Sequence, residues 1–180
     1  GHKEVFTGDF RFSEDEFREI ELVKDADKMW LDFTYGKDPR FDFPSRKEVT
    51  SQIISLILNE NSTLEKPIWI SAYNVGREIL LRTICKAFRT KIWAPSPKPK
   101  IYHEIGGDYD IFTSDESFIG VHHRLAIENL KGIDKELLNL IEDSLRILPT
   151  GWATIQQKRV SDVYYFNYSD HNDFYSLQKW

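Results

Sequence analysis

Cysteine is almost absent from this chain of 180 residues, in which Cys85 is the single thiol. One cysteine excludes an internal disulfide, and Cys85 lies in an apolar helical pattern that predicts a buried thiol. Long hydrophobic runs are also missing: no segment approaches the ~20 apolar residues that span a bilayer, and the first residues lack the apolar stretch of a signal peptide. The sequence therefore predicts an intracellular protein with no membrane partner.

A surplus of positive charge is absent as well, because 29 acidic side chains face 24 basic ones and the formal net charge is -5. The total charge gives no sign of a polyanionic partner, although an acidic protein can still carry a local cationic groove. Hydrophobic residues at 41% and aromatic residues at 14% are typical of a folded chain. The length predicts one domain with a buried core.

Strand-like and helix-like segments alternate along the chain, and neither an internal repeat nor a low-complexity linker interrupts them. Apolar runs predict strands in segments 3–12, 25–35, 66–73, 91–95, 109–114 and 160–169. Helical spacing predicts helices in segments 43–61, 74–89, 101–105 and 134–148. Ser45 is placed as the N-cap of the first helix, and Leu145 lies on the apolar side of the last. The fold class is α/β, with a mostly parallel sheet flanked by helices.

Three predicted strands are followed by a side chain that can bind a metal ion: Asp9, Asp32 and His171. Ligands of open α/β sheets bind at the carboxyl ends of the strands. Carboxylates and neutral imidazole suit Zn²⁺ or Mn²⁺, and two-metal hydrolases hold their ions with such groups. The alternative is that Asp9 and Asp32 are ordinary turn or helix-cap residues, and composition alone favours it for each residue taken separately.

Six short strings occur in an order that resembles the metallo-β-lactamase/β-CASP nucleases, in particular the Artemis and DNA cross-link repair branch. They are "TGDFR" (7–11), "LDFTY" (31–35), "FPS" (43–45), "SAYNVGRE" (71–78), "PTGW" (149–152) and "YSDH" (168–171). The likeness extends to "TSDESFIGVHH" and "ENLKGIDKELL" and so covers nearly the whole chain. Any one string is weak support, but six in the order of the family form a specific pattern.

The resemblance implies roles for the three strand-end residues. Asp9 matches a metal ligand of the lactamase core, Asp32 matches the first β-CASP motif and His171 matches the second. This sequence departs from the family beside His171, where Asp170 is a shorter acid, and Asn172 and Asp173 replace small hydroxyl residues. We therefore expect the surroundings of His171 to differ from the family pattern.

The resemblance also implies a division of the chain and a missing part. Residues 1–40 match C-terminal strands of the lactamase αββα core, 41–160 match the β-CASP domain, and 161–180 match a return segment that carries the motif histidine. The H-x-H-x-D-H loop of the family is absent, since no pair among the five histidines has the H-x-H spacing. Either the lactamase half is removed or supplied in cis or in trans, or the chain is a relic. Retention of all three ligand positions favours the first explanation.

Two cationic features are candidate contacts for a nucleic acid. "SAYNVGRE" places Asn74 and Gly76 at a strand-to-helix turn whose N–H groups can receive a phosphate, with Arg77 beside them. Ordinary turn chemistry explains the same residues equally well. Lys98 and Lys100 form a short cationic loop, for which a solvated loop is the favoured alternative to a DNA contact.

Four tryptophans, Trp30, Trp69, Trp93 and Trp152, lie in or beside predicted strands and are expected in the core rather than stacked on bases.

The resemblance predicts part of a metal-dependent DNA repair nuclease, a hydrolase of phosphodiester bonds that acts as a 5′ exonuclease or a structure-specific endonuclease. Its cofactor would be one or two zinc ions in the complete enzyme, with Mn or Mg as alternatives, and its partner DNA rather than RNA. With half a metal site, the isolated chain is expected to bind zinc poorly and to be inactive. Two alternatives stay open: a non-catalytic β-CASP-like module that binds DNA or protein, and an RNA-processing nuclease. The compartment would be nuclear in a eukaryote and cytoplasmic in a prokaryote.

Overall fold

The computed structural model describes most of the chain. The described residues are 1–11, 23–72, 77–94, 96–106, 109–114, 119–122, 139, 141–155 and 161–178, with 109, 121 and 122 described by their backbone alone. Their strands are β1 (Glu4–Phe6), β2 (Lys28–Trp30), β3 (Ile68–Ser71), β4 (Ile92–Trp93), β5 (Phe112–Thr113), β6 (Ile119–His122), β7 (Leu145–Pro149) and β8 (Val163–Phe166). Their α-helices are α1 (Arg46–Glu60), α2 (Glu78–Phe88), α3 (Lys98–Glu104) and α4 (Phe174–Gln178). Short 3₁₀ helices occupy Tyr109–Ile111 and Gly151–Thr154.

Two parallel sheets organise these elements. Six strands form one sheet in the order β5-β4-β6-β3-β7-β8, and every pairing in it is parallel. β1 and β2 form a separate parallel pair, in which Val5 is the partner of Met29. This architecture confirms the predicted α/β fold with a parallel sheet flanked by helices. Because all strands of a sheet run the same way, their carboxyl ends share one edge.

The core lies between the large sheet and its helices. Ile68 and Ile70 of the central strand β3 are fully buried, as expected for a parallel strand covered on both faces. α1 contributes Val49, Ile53 and Ile57 to the same cluster, at the spacing of one helical face. Cys85 of α2 is buried as predicted, and burial raises the pKa of its thiol to about 11.

Local signals in the sequence gave the start of α1 correctly. The Ser45 hydroxyl accepts a hydrogen bond from the Glu48 backbone N–H at 3.2 Å, and the Glu48 carboxylate accepts one from the Ser45 N–H at 2.8 Å. This reciprocal pair is a capping box, which satisfies two backbone donors that a helix start leaves without partners.

The prediction of a single helix over residues 134–148 is wrong at its end. Residues 134–138 and 140 lie outside the described part, and 139, 141 and 142 are helical. Leu145, however, belongs to strand β7, where its N–H donates to Pro67 O at 2.7 Å. The pairing of β7 with β3 is a long-range interaction, and it outweighs the local helical spacing.

The predicted cationic loop around Lys98 also differs from the structure, because α3 begins at Lys98. Among the described residues, no helix is both long enough and apolar enough to cross a membrane.

Candidate metal centre

Asp9, Asp32 and His171 come together although 162 positions separate the first from the last. Asp9 follows β1, Asp32 follows β2 and His171 follows β8, each beyond the carboxyl end of its strand. One donor atom from each residue lies within 4.8 Å of the others. A group of two carboxylates and one imidazole at this spacing has the composition of a metal site.

Asp32 and His171 form a tight pair in this cluster. Asp32 Oδ2 lies 2.7 Å from His171 Nδ1, and Oδ1 accepts hydrogen bonds from the Thr34 hydroxyl at 2.7 Å and the Thr34 N–H at 3.0 Å. Burial raises the pKa of Asp32, but the hydrogen bonds from Thr34 and His171 outweigh it and hold the pKa below its ordinary value. An ionised Asp32 accepts a hydrogen bond from Nδ1–H, which leaves His171 Nε2 as the ring atom available to a metal ion.

Asp9 is the open member of the cluster. Its side chain is 82% exposed, whereas that of Asp32 is 6% exposed. Asp9 Oδ2 lies 4.0 Å from His171 Nε2, too far for a hydrogen bond. Asp9 is therefore exposed and not hydrogen-bonded to His171, while both oxygens of Asp32 are already engaged.

The loop that carries His171 is held on both sides. The Ser169 hydroxyl accepts a hydrogen bond from the His171 N–H at 3.0 Å, and the buried Asn172 side chain donates to Phe10 O at 2.9 Å. The Tyr35 ring contacts the imidazole edge-on, with 5.7 Å between ring centroids. Asn172, one of the departures from the family pattern, thus joins the loop of His171 to the residue after Asp9.

Arg11 connects the Asp9 segment to the rest of the molecule. Its guanidinium donates to the carbonyl oxygens of Phe43 at 3.0 Å and Pro44 at 2.9 Å, and more weakly to Ser169 O at 3.4 Å. Asp173 lies 4.0 Å away as its counter-charge. One nearly buried side chain thereby fixes three segments that converge at the cluster.

Asp170 neutralises two arginines beside the site. It forms ion pairs with Arg77, at the start of α2, and with Arg46 of α1, at 3.3 Å. The Arg77 guanidinium also lies over the Tyr168 ring, 4.9 Å from its centroid. The shorter acid at position 170 therefore ties two helix starts to the loop of His171.

Three known proteins are similar to this chain over nearly its whole length. The chain is 30% identical over 178 residues to the 5′ exonuclease Apollo of Rattus norvegicus, an alignment that covers 97% of this chain and 31% of that protein. It is 28% identical over 199 residues to the DNA cross-link repair protein SNM1 of Arabidopsis thaliana, covering 97% of this chain and 40% of the relative. A third relative, DNA ligase 6 of Arabidopsis thaliana, is 28% identical over 211 residues, which are 98% of this chain and 14% of that protein.

These relatives are DNA cross-link repair nucleases of the metallo-β-lactamase/β-CASP family, and the chain is similar to them over nearly its whole length. This confirms the resemblance found in the sequence, although a scan against protein-family models gives no match. The chain spans about a third of the length of the Apollo protein that it matches, 31%. The family is metal-dependent, and the donor set of Asp9, Asp32 and His171 fits a metal ion.

The five predicted substrate-binding residues differ in their exposure and in whether the structure describes them. Asn74 and Gly76 lie outside the described residues. Arg77 is nearly buried and paired with Asp170, and Lys98 is 3% exposed with Glu78 3.8 Å away. Lys100 is exposed. Of the described candidates, Lys100 alone presents its charge to solvent, and the substrate role of the whole set stays a prediction.

The expectation that the four tryptophans lie in the core is confirmed for Trp69, which is 2% exposed. It is wrong for Trp30 and Trp152, at 46% and 48% exposed. Trp93 is half-buried.

Sequence reasoning missed the residues that support the cluster, above all Arg11, Thr34 and Tyr35. Thr34 had a local signal, because an aspartate two positions before a threonine often accepts hydrogen bonds from it in a turn. Arg11 had none, since its partners lie at least 32 positions away, and the contact of Tyr35 with His171 spans 136 positions.

Proposed function

We propose that this chain is part of a metal-dependent DNA repair nuclease that hydrolyses phosphodiester bonds. The convergence of Asp9, Asp32 and His171 within 4.8 Å supports the proposal most strongly. Its relatives are a 5′ exonuclease and DNA cross-link repair proteins, which favours DNA over RNA as the substrate and an intracellular location, nuclear in a eukaryote and cytoplasmic in a prokaryote.

We assign the three residues as the metal-binding and catalytic group of this chain. Asp9 and His171 Nε2 are the donors best placed to hold an ion, zinc first and Mn or Mg as alternatives. Such an ion would supply an activated water and stabilise the charge that develops on the phosphate. Asp32 holds the imidazole ring in its orientation, and it becomes a direct ligand only if it leaves its hydrogen bonds to Thr34.

A complete centre needs more donors than these three residues provide. The pair β1–β2 supports docking of a further lactamase part, in cis or in trans, because Phe6, Trp30, Leu31 and Phe33 are large apolar side chains that remain exposed there. We retain the division into 1–40 as lactamase strands, 41–160 as the β-CASP domain and 161–180 as the return segment. We therefore expect the isolated chain to have no nuclease activity.

Zinc titration by calorimetry tests the assignment of the ligands. We expect weak binding by the chain, loss of binding in Asp9→Asn and His171→Gln, and a smaller loss in Asp32→Asn, because Asp32 acts through the ring. Asp42→Asn serves as the control, since Asp42 is an exposed carboxylate outside the cluster. Equal zinc affinity in all four variants would contradict the metal site.

Nuclease assays test the activity itself. The chain joined to a metallo-β-lactamase part that supplies the missing donors should cleave DNA with added zinc or manganese, and Asp9→Asn should abolish cleavage. If both the joined protein and its Asp9→Asn and His171→Ala variants perform the cellular function equally well without cleavage, the non-catalytic binding module replaces this proposal. Preferential cleavage of RNA would instead support the RNA-processing alternative.

A further inference from the structure

Positive charge is concentrated in one stretch of this acidic protein. Between Glu78 and Glu104 the sequence contains no acidic residue. The same stretch contains six basic side chains, at Arg82, Lys86, Arg89, Lys91, Lys98 and Lys100. Lys98 is buried beside Glu78, and the other five side chains form a local excess of positive charge that attracts polyanions.

An open cavity of about 720 Å³ lies within this cationic stretch. We call it the β4–β5 pocket, and its lining includes Lys91, Trp93, Ser96, Lys100, Phe112 and Ser114. Lys91 and Lys100 are exposed, so two ammonium groups stand at the cavity together with two exposed hydroxyls, Ser96 and Ser114. These groups are donors suited to phosphate oxygens.

The pocket also presents an aromatic ring in a fixed position. Lys91 and Trp93 flank the fully buried Ile92, and alternation along a strand directs both to the same face of β4. The Trp93 ring packs edge-on against the buried Trp69 ring, with 5.8 Å between centroids. A half-buried indole beside two ammonium groups is the combination that binds a nucleobase and its phosphate in single-stranded nucleic acid.

The sheet order places this pocket on the same edge of the large sheet as the loop of His171. Trp93 and Thr113 end β4 and β5, so the pocket lies at the carboxyl edge of the large sheet, as His171 does beyond β8. From β4 the order runs through β6, β3 and β7 to β8. Four strand spacings put β4 and β8 about 19 Å apart, so the pocket and the metal cluster are separate sites on this edge of the sheet.

We propose that the β4–β5 pocket is a second nucleic-acid site, separate from the metal cluster, which binds the phosphate backbone and one base of the substrate strand. Lys91 and Lys100 contact phosphates, and Trp93 stacks on the base. The inference rests on the proposed function for the identity of the strand. Its test is made without metal, so that it does not depend on catalysis.

Binding of a fluorescein-labelled, unstructured 20-nucleotide DNA is measured in EDTA from 50 to 200 mM salt. The pocket variant is Lys91→Gln with Lys100→Gln. The control is Lys24→Gln with Lys66→Gln, because both lysines are exposed and precede the amino ends of β2 and β3. We expect the pocket variant to bind roughly tenfold more weakly at 50 mM salt, and the slope of log K against log salt to fall by about 1.4. The control variant should bind like the unmodified chain.

Three results would overturn the inference. The first is that the unmodified chain does not bind the DNA at 50 mM salt. The second is that the pocket and control variants have equal affinities and slopes. The third is that a mononucleotide displaces the DNA at the same concentration as an unlabelled oligonucleotide does. The last result would identify a pocket for a free nucleotide. Asp9→Asn tests the two proposals separately, because it should lose zinc binding and retain DNA binding that depends on Lys91 and Lys100.

Discussion

Asp32 uses both of its carboxylate oxygens in hydrogen bonds within the chain, one to His171 and one to Thr34. This arrangement holds the imidazole in one orientation. A ligand whose orientation is fixed by a neighbouring carboxylate is typical of metal sites, where the hydrogen bond also increases the basicity of the ring. The hydrogen bond between Asp32 and His171 should therefore stabilise the folded chain in the absence of a metal ion.

Asp32→Asn should lower the free energy of unfolding by about 1.5 kcal/mol at pH 7, because it removes a charged hydrogen-bond partner. The pKa of Asp32 is held below its ordinary 3.8, so its contribution is complete above that pH and is lost as the pH falls further through the lowered pKa. Urea unfolding of both proteins in EDTA at pH 7 and at the lowest pH at which both remain folded measures it. A stability difference that is the same at both pH values would contradict the role of the ionised carboxylate.

Gly151 shows how a single small residue shapes the site. A Cβ atom at this position would lie 2.5 Å from Tyr35 Oη and 2.7 Å from Cζ, closer than side-chain atoms can approach. The Tyr35 ring also contacts the His171 imidazole. The glycine of "PTGW" is therefore explained by a buried ring, which no local pattern reveals.

Gly151→Ala should destabilise the chain by about 1–3 kcal/mol through overpacking against Tyr35. Tyr35→Phe removes the nearest atom, so the double variant should lose less than the sum of the two single changes. Thermal and urea unfolding of the four proteins measure this coupling. Strict additivity would show that the alanine does not press on the Tyr35 ring.

At the level of elements, α1 begins where its sequence predicts because its cap is made by near neighbours. The Ser45 hydroxyl and the Glu48 carboxylate satisfy each other's backbone N–H groups. The start of this helix also positions Arg46, which pairs with Asp170 beside His171. The local signal thus has a consequence at the candidate site.

Ser45→Ala should cost about 1 kcal/mol of stability, the usual effect of removing an N-cap hydroxyl. Ser51→Ala is the matched control, because Ser51 lies inside α1 and its hydroxyl only donates to the Lys47 carbonyl at 3.0 Å. Urea unfolding should show a clear loss for the first variant and almost none for the second. Similar losses in both would argue against the cap.

β7 illustrates the opposite case. Residues 145–149 alternate between buried and partly exposed positions, the period of a strand, yet they follow directly on a helical pattern. Helical spacing up to Leu145 and strand spacing after it overlap by a few residues, so the sequence alone favoured one long helix. The hydrogen bonds between β7 and β3 decide the boundary.

At the scale of the whole molecule, Arg11 joins segments around the cluster that lie far apart in sequence. It bonds to carbonyl oxygens of Phe43, Pro44 and Ser169, and burial lowers the pKa of its guanidinium. Asp9 lies two positions before it. Asp9 therefore keeps its place near His171 only while this side chain spans the three segments.

Arg11→Lys should destabilise the chain by about 2 kcal/mol, since an ammonium group cannot reach three carbonyls in the geometry of the guanidinium fork. Zinc affinity should fall with it, because Asp9 loses its anchor. Arg40→Lys is the control: Arg40 is exposed, its side chain pairs with Asp38, and the change should have little effect. Unfolding curves and zinc titrations of both variants check the prediction.

The sequence by itself determined the α/β class and the cap of α1, because side-chain period and turn chemistry are properties of neighbouring residues, and its short strings pointed to Asp9, Asp32 and His171 through the family resemblance. Only the tertiary structure decided that Asp32 orients His171, that Asp170 pairs with Arg46 and Arg77, that Lys98 is buried and that Lys91, Trp93 and Lys100 share a cavity. The physical reason is that these contacts depend on strand order and on the closing of long loops, so their energies arise between residues that no local pattern connects.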